Sequence, residues 1–239
     1  MEMTVLALDP GCVDVWWFEL DARAHTRARY AAVLDAVETA RAARFRFERD
    51  RNRFVVGRGT VREILGAYLG CPPAAVRLEY GAHGKPRLDP GHDSALRFNA
   101  SGSHGLGALA VTVGAEVGVD VEQIREATDY EAIARQHFHP AEAPTVLEAP
   151  EGARAAPFFA VWTGKEAYLK ALGVGLSGGL EAFSVLVTGD AVRIGESRLE
   201  SPQALARWSV HRLFPGAGFT GCLVVEGAPT CLRCRRWAD

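Results

Sequence analysis

Apolar residues in this chain change their spacing several times, and each change predicts an element. In "VDVWWFEL" (13–20) β-branched and aromatic residues crowd a short run, which predicts a strand. Residues 24–48, rich in alanine and arginine, predict a helix. A second helix is expected through "RDRNRFVVGRGTVREILGAYLG", stopped by Gly70 and the Pro72–Pro73 pair. On its wheel Phe54, Val61, Ile64, Leu65 and Tyr68 share one arc. Arg51, Arg58 and Arg62 edge that arc, where they read as cations snorkelling at the rim of a buried face.

Further on, "VRLEYGAHGKPRL" reads as a strand, a glycine-marked turn and an extended X-Pro segment. "LRFNASGSHGLGALAVTV" and "VGVDVEQI" follow, as two apolar strands or a strand and a short helix, separated by Gly114–Glu116. A helix is expected from about Asp129 to His137, a loop over 139–157, and a helix from Pro157 to about Leu172. "FSVLVTG", "WSVHRLF" and "TGCLVVEG" supply the later strands. Strands and helices mix without regular alternation, so the fold class is α+β.

Composition narrows the function. A chain of 239 residues suits one large domain or two small ones. The net charge of −2 predicts no special affinity for nucleic acid or for an anionic membrane. No apolar run approaches membrane-spanning length, and the start of the chain lacks the basic region of a signal peptide. Five scattered cysteines suggest reduced thiols and a cytoplasmic location. "CLRC" at 231–234 has zinc-like spacing but no second ligand pair, so a strand or tail with incidental cysteines is the better reading. Among 27 basic residues only Lys85, Lys165 and Lys170 are lysine, and each stands in a short motif.

Three of these motifs could do chemistry. In "GVDVE" a strand period of two puts Asp120 and Glu122 on one face. Either that face is simply wet, or the pair holds Mg²⁺, which takes one or two carboxylates plus phosphates and waters. In "KEAYLK", Glu166 and Lys170 are four apart and read either as a surface ion pair or as groups for a metal and a phosphate. "FNASGSHG" (98–105) reads as a polar turn with His104 exposed, or as a turn whose N–H groups cradle an anion.

In order along the chain stand an arginine-rich helix, G-K-P, F-N-x-S, G-V-D-V-E and W-x-x-K-E-A-x-x-K-A-x-G-x-G-L. From about Arg44 to Phe183 this resembles the 4'-phosphopantetheinyl transferase superfamily, in its larger, surfactin-synthetase-activating type. The resemblance implies transfer of the phosphopantetheine arm of coenzyme A, the co-substrate, to a serine of an apo acyl, peptidyl or aryl carrier protein, releasing 3',5'-ADP. It implies two similar α/β halves related by a pseudo-twofold, 1–115 and 116–239, with the active site in the cleft between them. The first would contact the coenzyme A nucleotide and the second would hold metal and pyrophosphate; a monomer would suffice.

By the same resemblance Asp120, Glu122 and Glu166 hold Mg²⁺, and Lys170 contacts the pyrophosphate. Lys165 lies beside the site, and Glu166 takes the carrier serine's proton, directly or through water. Lys85 and Arg53 approach the 3'-phosphate and ribose, Arg44 and Arg41 add basic contacts, and Ser101 belongs to the phosphate turn. The pattern departs at Gly102, where the family has a histidine; His104 is the candidate substitute. The near-neutral charge predicts carrier docking governed more by apolar contact than by charge. Two rivals are a catalytically weakened coenzyme A-binding partner and a nucleotide-sugar transferase using D-x-E.

Overall fold

The structure, a computed structural model, describes residues 5–126, 129–175 and 178–238. Its first part contains β1 (Cys12–Glu19), α1 (Ala24–Ala31), α2 (Ala36–Ala42), α3 (Glu48–Leu69), β2 (Leu78–Tyr80), β3 (Pro86–Leu88), β4 (Leu96–Ser103) and β5 (Leu106–Val113). Then come β6 (Val117–Gln123), α4 (Tyr130–His137), α5 (Ala143–Leu147), α6 (Ala155–Leu172), β7 (Phe183–Thr188), β8 (Ala191–Ser197), α7 (Pro202–Leu205), β9 (Trp208–Leu213), β10 (Phe219–Glu226) and β11 (Cys231–Arg236). Helix and sheet are mixed, as the α+β reading expects.

Two sheets organise the core, one ordered β11-β1-β5-β4 and the other β6-β10-β9. They pack face to face through Val13, Val15 and Trp17 of β1, Ala108 and Ala110 of β5, and Val119, Val121 and Leu223 of the second sheet. The outer face of the first sheet carries α3, whose Val61, Ile64 and Leu65 meet Trp16 and Phe18. The outer face of the second carries α6, through Ala167, Ala171, Cys222 and Val224. The order of layers is therefore helix, sheet, sheet, helix. Strands in the middle are covered on both sides, and β1 is accordingly buried without a break from Val13 to Phe18, Asp14 included.

Several expectations need correction. Residues 24–48 form no single helix. Asp35 starts a new one, its side chain accepting from Glu38 N while Glu38 reaches back in a capping box. Arg62 is no rim residue: it is 1% exposed, with Nε 2.6 Å from Glu38 and Nη2 2.6 Å from Asp35. "LRFNASGSHGLGALAVTV" folds as the hairpin β4–β5, so Ser101 and Gly102 lie in a strand and the turn is at His104–Gly105. The 139–157 loop contains α5. Cys231–Arg236 is a strand, but it runs parallel to β1, so this piece of the expected 116–239 half completes the sheet of the other half. Among the described residues no helix is long and apolar enough to cross a membrane.

Candidate active site

The site forms where β4, β6 and α6 meet. Gly118 makes that meeting possible: a Cβ there would stand 2.0 Å from Ala167 O and 2.4 Å from Ala171 N, so α6 lies directly on β6. The contact sets Lys170 beside Asp120, the next residue but one on the same strand face. Lys170 Nζ is 2.6 Å from Asp120 Oδ1 and 3.0 Å from Ser101 Oγ, and Ser101 Oγ donates to the same Oδ1 at 2.7 Å. Instead of a Glu166–Lys170 pair there is this triangle, because β6 offers the Asp120 carboxylate and β4 the Ser101 hydroxyl at the same point.

Strand β4 reaches β6 with every second side chain. Asn99 Oδ1 accepts from Val119 N at 2.9 Å, Ser101 donates to Asp120, and Ser103 Oγ donates to Glu122 Oε2 at 2.5 Å while accepting from Gln123 N at 3.3 Å. The free edge of β6 is thus closed by side chains of the other sheet. Asn99 and Ser103 were missed in the sequence, although their spacing of two from Ser101 is the signal that would have found them.

Charge here is incompletely satisfied. Asp120 is 3% exposed, and its Oδ2 has no hydrogen-bond partner. Burial pushes the Glu166 carboxyl above its ordinary range; Lys170 opposes this, while Asp120 and Glu122 add to it. Burial also raises Glu122 against the Ser103 hydrogen bond, with Asp120 again adding repulsion. The three carboxylates therefore feel one another. Among the described residues they do not close into a set of three or more acidic, histidine or cysteine groups around one point. An orphaned buried oxygen beside two carboxylates reluctant to ionise nevertheless suits Mg²⁺, which needs only one or two protein carboxylates when phosphate oxygens and water complete its shell. Thr220, the ladder partner of Glu122, is 3% exposed with an unpartnered hydroxyl. Nothing in the sequence marks it, because strand pairing at this distance leaves no local trace.

Next to this cluster opens a cavity of about 430 Å³ lined by Arg41, Arg53, Phe54, Arg58, Ser101 and His104, among others. Arg53 is fixed there by a two-pronged bond to Asp21, 2.7 Å on each arm, which holds the Asp21 carboxyl below its usual range. His104 sits at φ 53° with Nδ1 3.2 Å from Ser103 Oγ. Burial first, then Arg125, Arg53 and Arg49, hold its imidazole below the usual histidine range. At Gly102 a Cβ would lie 3.1 Å from Leu20 Cδ1, so the space a side chain would need is held by leucine.

Three predicted residues stand elsewhere. Lys165 is fully buried inside the second half, paired with Glu142 and donating to Leu180 O and Phe183 O at 2.6 Å each. It belongs to the core, not beside the site. Glu142 also accepts from His139 N at 2.8 Å and from Val185 N, and no sequence signal marked it. Lys85 bonds Glu116 at 2.9 Å and the carbonyls of Val117 and Ala171 at 3.2 Å, lining a different cavity from Arg53. It ties the β2–β3 hairpin to β6 and α6. Arg44 is exposed and lines a third cavity, of about 750 Å³, with Val37 and Phe45. The glycine segment after α6 is described only in part, Leu176 and Ser177 lying outside the described residues.

Comparison with known proteins bears on this geometry. Residues 116–221 match the family model of the 4'-phosphopantetheinyl transferase superfamily, and 21–116 match that of the 4'-phosphopantetheinyl transferase N-terminal region. The chain is 37% identical to the 4'-phosphopantetheinyl transferase HetI of Nostoc sp., over 90% of this chain and 88% of that protein. It is 34% identical to a phosphopantetheinyl transferase of Thraustochytrium sp., over 73% of this chain and 66% of the relative. With a 4'-phosphopantetheinyl transferase of Bacillus pumilus the identity is 32%, over 68% and 66% of the two chains.

Proposed function

Since the chain belongs to the 4'-phosphopantetheinyl transferase superfamily, we propose that the triangle of Ser101, Asp120 and Lys170 is where the arm of coenzyme A is transferred, with Mg²⁺ bound there. As an enzyme of this family the chain transfers phosphopantetheine from coenzyme A to carrier proteins. One observation carries the placement: Asp120 is buried, bonded on one oxygen by both Ser101 and Lys170, and bare on the other.

In this reading the carrier serine oxygen attacks the phosphorus that bears the pantetheine arm. The bond from that phosphorus to the other phosphate breaks, and 3',5'-ADP leaves. Asp120, with Glu122 or Glu166 as a second carboxylate, would hold the cation, which would offset charge on the pyrophosphate oxygens. Lys170, a compact ammonium already poised between the two halves, follows those oxygens as charge moves onto the leaving phosphate. Glu166 would accept the serine proton, directly or through a water. Arg53, Arg41 and His104, around the 430 Å³ cavity, would receive the nucleotide end, with His104 standing in for the missing side chain at Gly102. Arg44, exposed at the neighbouring cavity, would add charge at its rim, and Lys85 would act there only after release from Glu116.

The two halves each lay a long helix over a sheet, α3 on the first and α6 on the second, which supports a duplicated pseudo-twofold origin. Ser101, Asp120 and Lys170 all come from one chain, so a monomer suffices. The five free thiols suit the cytoplasm. The substrates proposed are carrier proteins of polyketide, nonribosomal-peptide, siderophore or fatty-acid assembly. Incubation with coenzyme A, Mg²⁺ and a panel of apo carrier proteins should add one phosphopantetheine by mass spectrometry and release 3',5'-ADP. Full activity in chelator would remove the metal from the reading, and no addition to any carrier would remove the transfer.

A further inference from the structure

Two thiols from distant parts of the chain face each other at the edge of the first sheet. Strand β11 lies parallel to β1, with Cys231 opposite Cys12 and Arg233 opposite Asp14. Positions two apart on a strand share a face. On that face the Asp14–Arg233 pair is already joined by its side chains, Arg233 Nη2 donating to Asp14 Oδ2 at 3.1 Å. Cys12 and Cys231 are the preceding pair on the same face. Just before them the strands are tied again: Thr230 N donates to Gly11 O at 2.9 Å, and Thr230 Oγ1 to the same oxygen at 3.3 Å. Bonds on both sides thus fix the register of the thiols. Neighbouring strands run about 4.7–4.9 Å apart, inside the roughly 4.4–6.8 Å that a disulfide needs between its Cα atoms. The side chains meet as well. A hydrogen bond to the Cys12 side chain first, then partial burial, push the Cys231 thiol up against the opposing pull of Arg233.

Among the described residues no other two cysteines stand in register. Cys234 lies three positions beyond Cys231, so it takes the opposite face of β11, across from Val15. The short spacing in "CLRC" therefore does not bring its two thiols together. Cys222 is buried in the core of the second half. Cys12 and Cys231 are half-buried and open to a small reagent. Their place in the sheet gives a bond between them mechanical weight. β11 is an outer strand with β1 as its one strand neighbour among the described residues, the kind of element that opens first. A tie at its first residue would close nearly the whole chain into one loop, and the restraint on the unfolded chain grows with loop length. We propose that Cys12 and Cys231 form a thiol–disulfide clasp, oxidised by a low-molecular-weight disulfide, that locks β11 onto β1. One protein thiol, as its thiolate, attacks a sulfur of the reagent and expels a small thiolate. The other thiolate then attacks the protein sulfur of that mixed disulfide and expels the second. Each protein thiol gives up a proton, the two sulfurs together lose two electrons, and the reagent departs as two thiols. The exchange quickens as pH rises, because the thiolate is the attacking species.

The test oxidises the full chain with glutathione disulfide at mildly alkaline pH, blocks the remaining thiols and digests with trypsin. Cleavage after Arg233 separates Cys231 from Cys234. Mass spectrometry should find the Cys12 peptide joined to the Cys231 peptide with the loss of two hydrogens. The oxidised chain should unfold at a higher urea concentration than the reduced one, and dithiothreitol should return the midpoint to its reduced value. Cys12→Ser and Cys231→Ser should each abolish both the linked peptide and the shift, whereas Cys71→Ser and Cys234→Ser should keep both. A Cys231–Cys234 link would overturn the proposal, as would glutathione left on Cys12 or Cys231 with no cross-link. So would a cross-linked chain whose urea midpoint equals that of the reduced chain, since the bond would then restrain nothing. Should Cys12→Ser or Cys231→Ser fail to fold, the parent with its accessible thiols alkylated before oxidation takes its place. That chain must show neither link nor shift, and a shift without the link would also overturn the clasp.

Discussion

Lys165 and Lys170 stand five residues apart on α6, and each meets a buried carboxylate. Around Lys165 every partner is present: Glu142 faces it, two carbonyls accept from it, and the far oxygen of Glu142 accepts from Val185 N. Around Lys170 the set is open. Asp120 keeps a buried oxygen with no donor, and Glu122 and Glu166 crowd the same region. Two ion pairs alike in composition thus differ in completeness. The closed one resembles a stitch in the core; the open one has room for charge that arrives from outside.

Experiments can set the two pairs against each other. The largest effect expected is on stability at the closed pair. Lys165→Met leaves the Glu142 charge buried without its cation, and should cost about 3–5 kcal/mol in urea unfolding. Restoring most of this with a second change, Glu142→Gln, would confirm that the lone charge was the cause. If Lys165→Met unfolds at the parental midpoint yet loses activity, the residue belongs to the active site after all.

At the open pair the balance should reverse. Asp120→Ala should lower kcat by about a hundredfold or more, the scale of a main electrostatic stabiliser, while the urea midpoint moves little. Equal losses of stability at Asp120 and Lys165 would erase the distinction between the pairs. Lys170→Ala should lower kcat/KM by roughly 10–100-fold, corresponding to about 1.5–3 kcal/mol for a charge-assisted hydrogen bond. Lys170→Arg should recover only part, since a planar guanidinium cannot reach both Ser101 Oγ and Asp120 Oδ1 with the geometry of an ammonium.

The smallest effect is expected at the turn. His104→Ala should raise KM for coenzyme A by a factor worth about 1–2 kcal/mol, with kcat little changed. Gly102→His should help less than a free contact would, because its Cβ must displace Leu20 Cδ1. A marked fall in KM for Gly102→His would show that Leu20 gives way easily.

Period and motif made much of this molecule legible. The apolar run of β1, the D-x-E strand and the long helix carrying Lys165 to Lys170 follow from local spacing, and the motifs identified Ser101, Asp120 and Lys170 before any contact was known. What stayed hidden depends on separation along the chain. Lys165 and Lys170 look equivalent in "KEAYLK"; only the packing of α6 against β6 on one side and Glu142 on the other tells them apart. Arg62 looked like a rim residue because its two carboxylates arrive from α2, an element read as part of a longer helix. Lys85 was assigned to phosphate from its motif, whereas its neighbours in space, Glu116 and Ala171, come from distant segments.

The strand pairing of β1 with β11 also fixes an order of events in synthesis. Arg233 grips Asp14 across 219 positions of sequence, and β11 supplies the parallel neighbour of β1. While the ribosome is still making the intervening chain, β1 has β5 on one edge and nothing on the other. During that interval an adhesive edge bearing Trp16 and Trp17 is open to any passing strand. Among the described residues the first strand waits for the last, so a stalled or prematurely released polypeptide would hold every residue of the Asp120 and Lys170 site and still lack one edge of its first sheet.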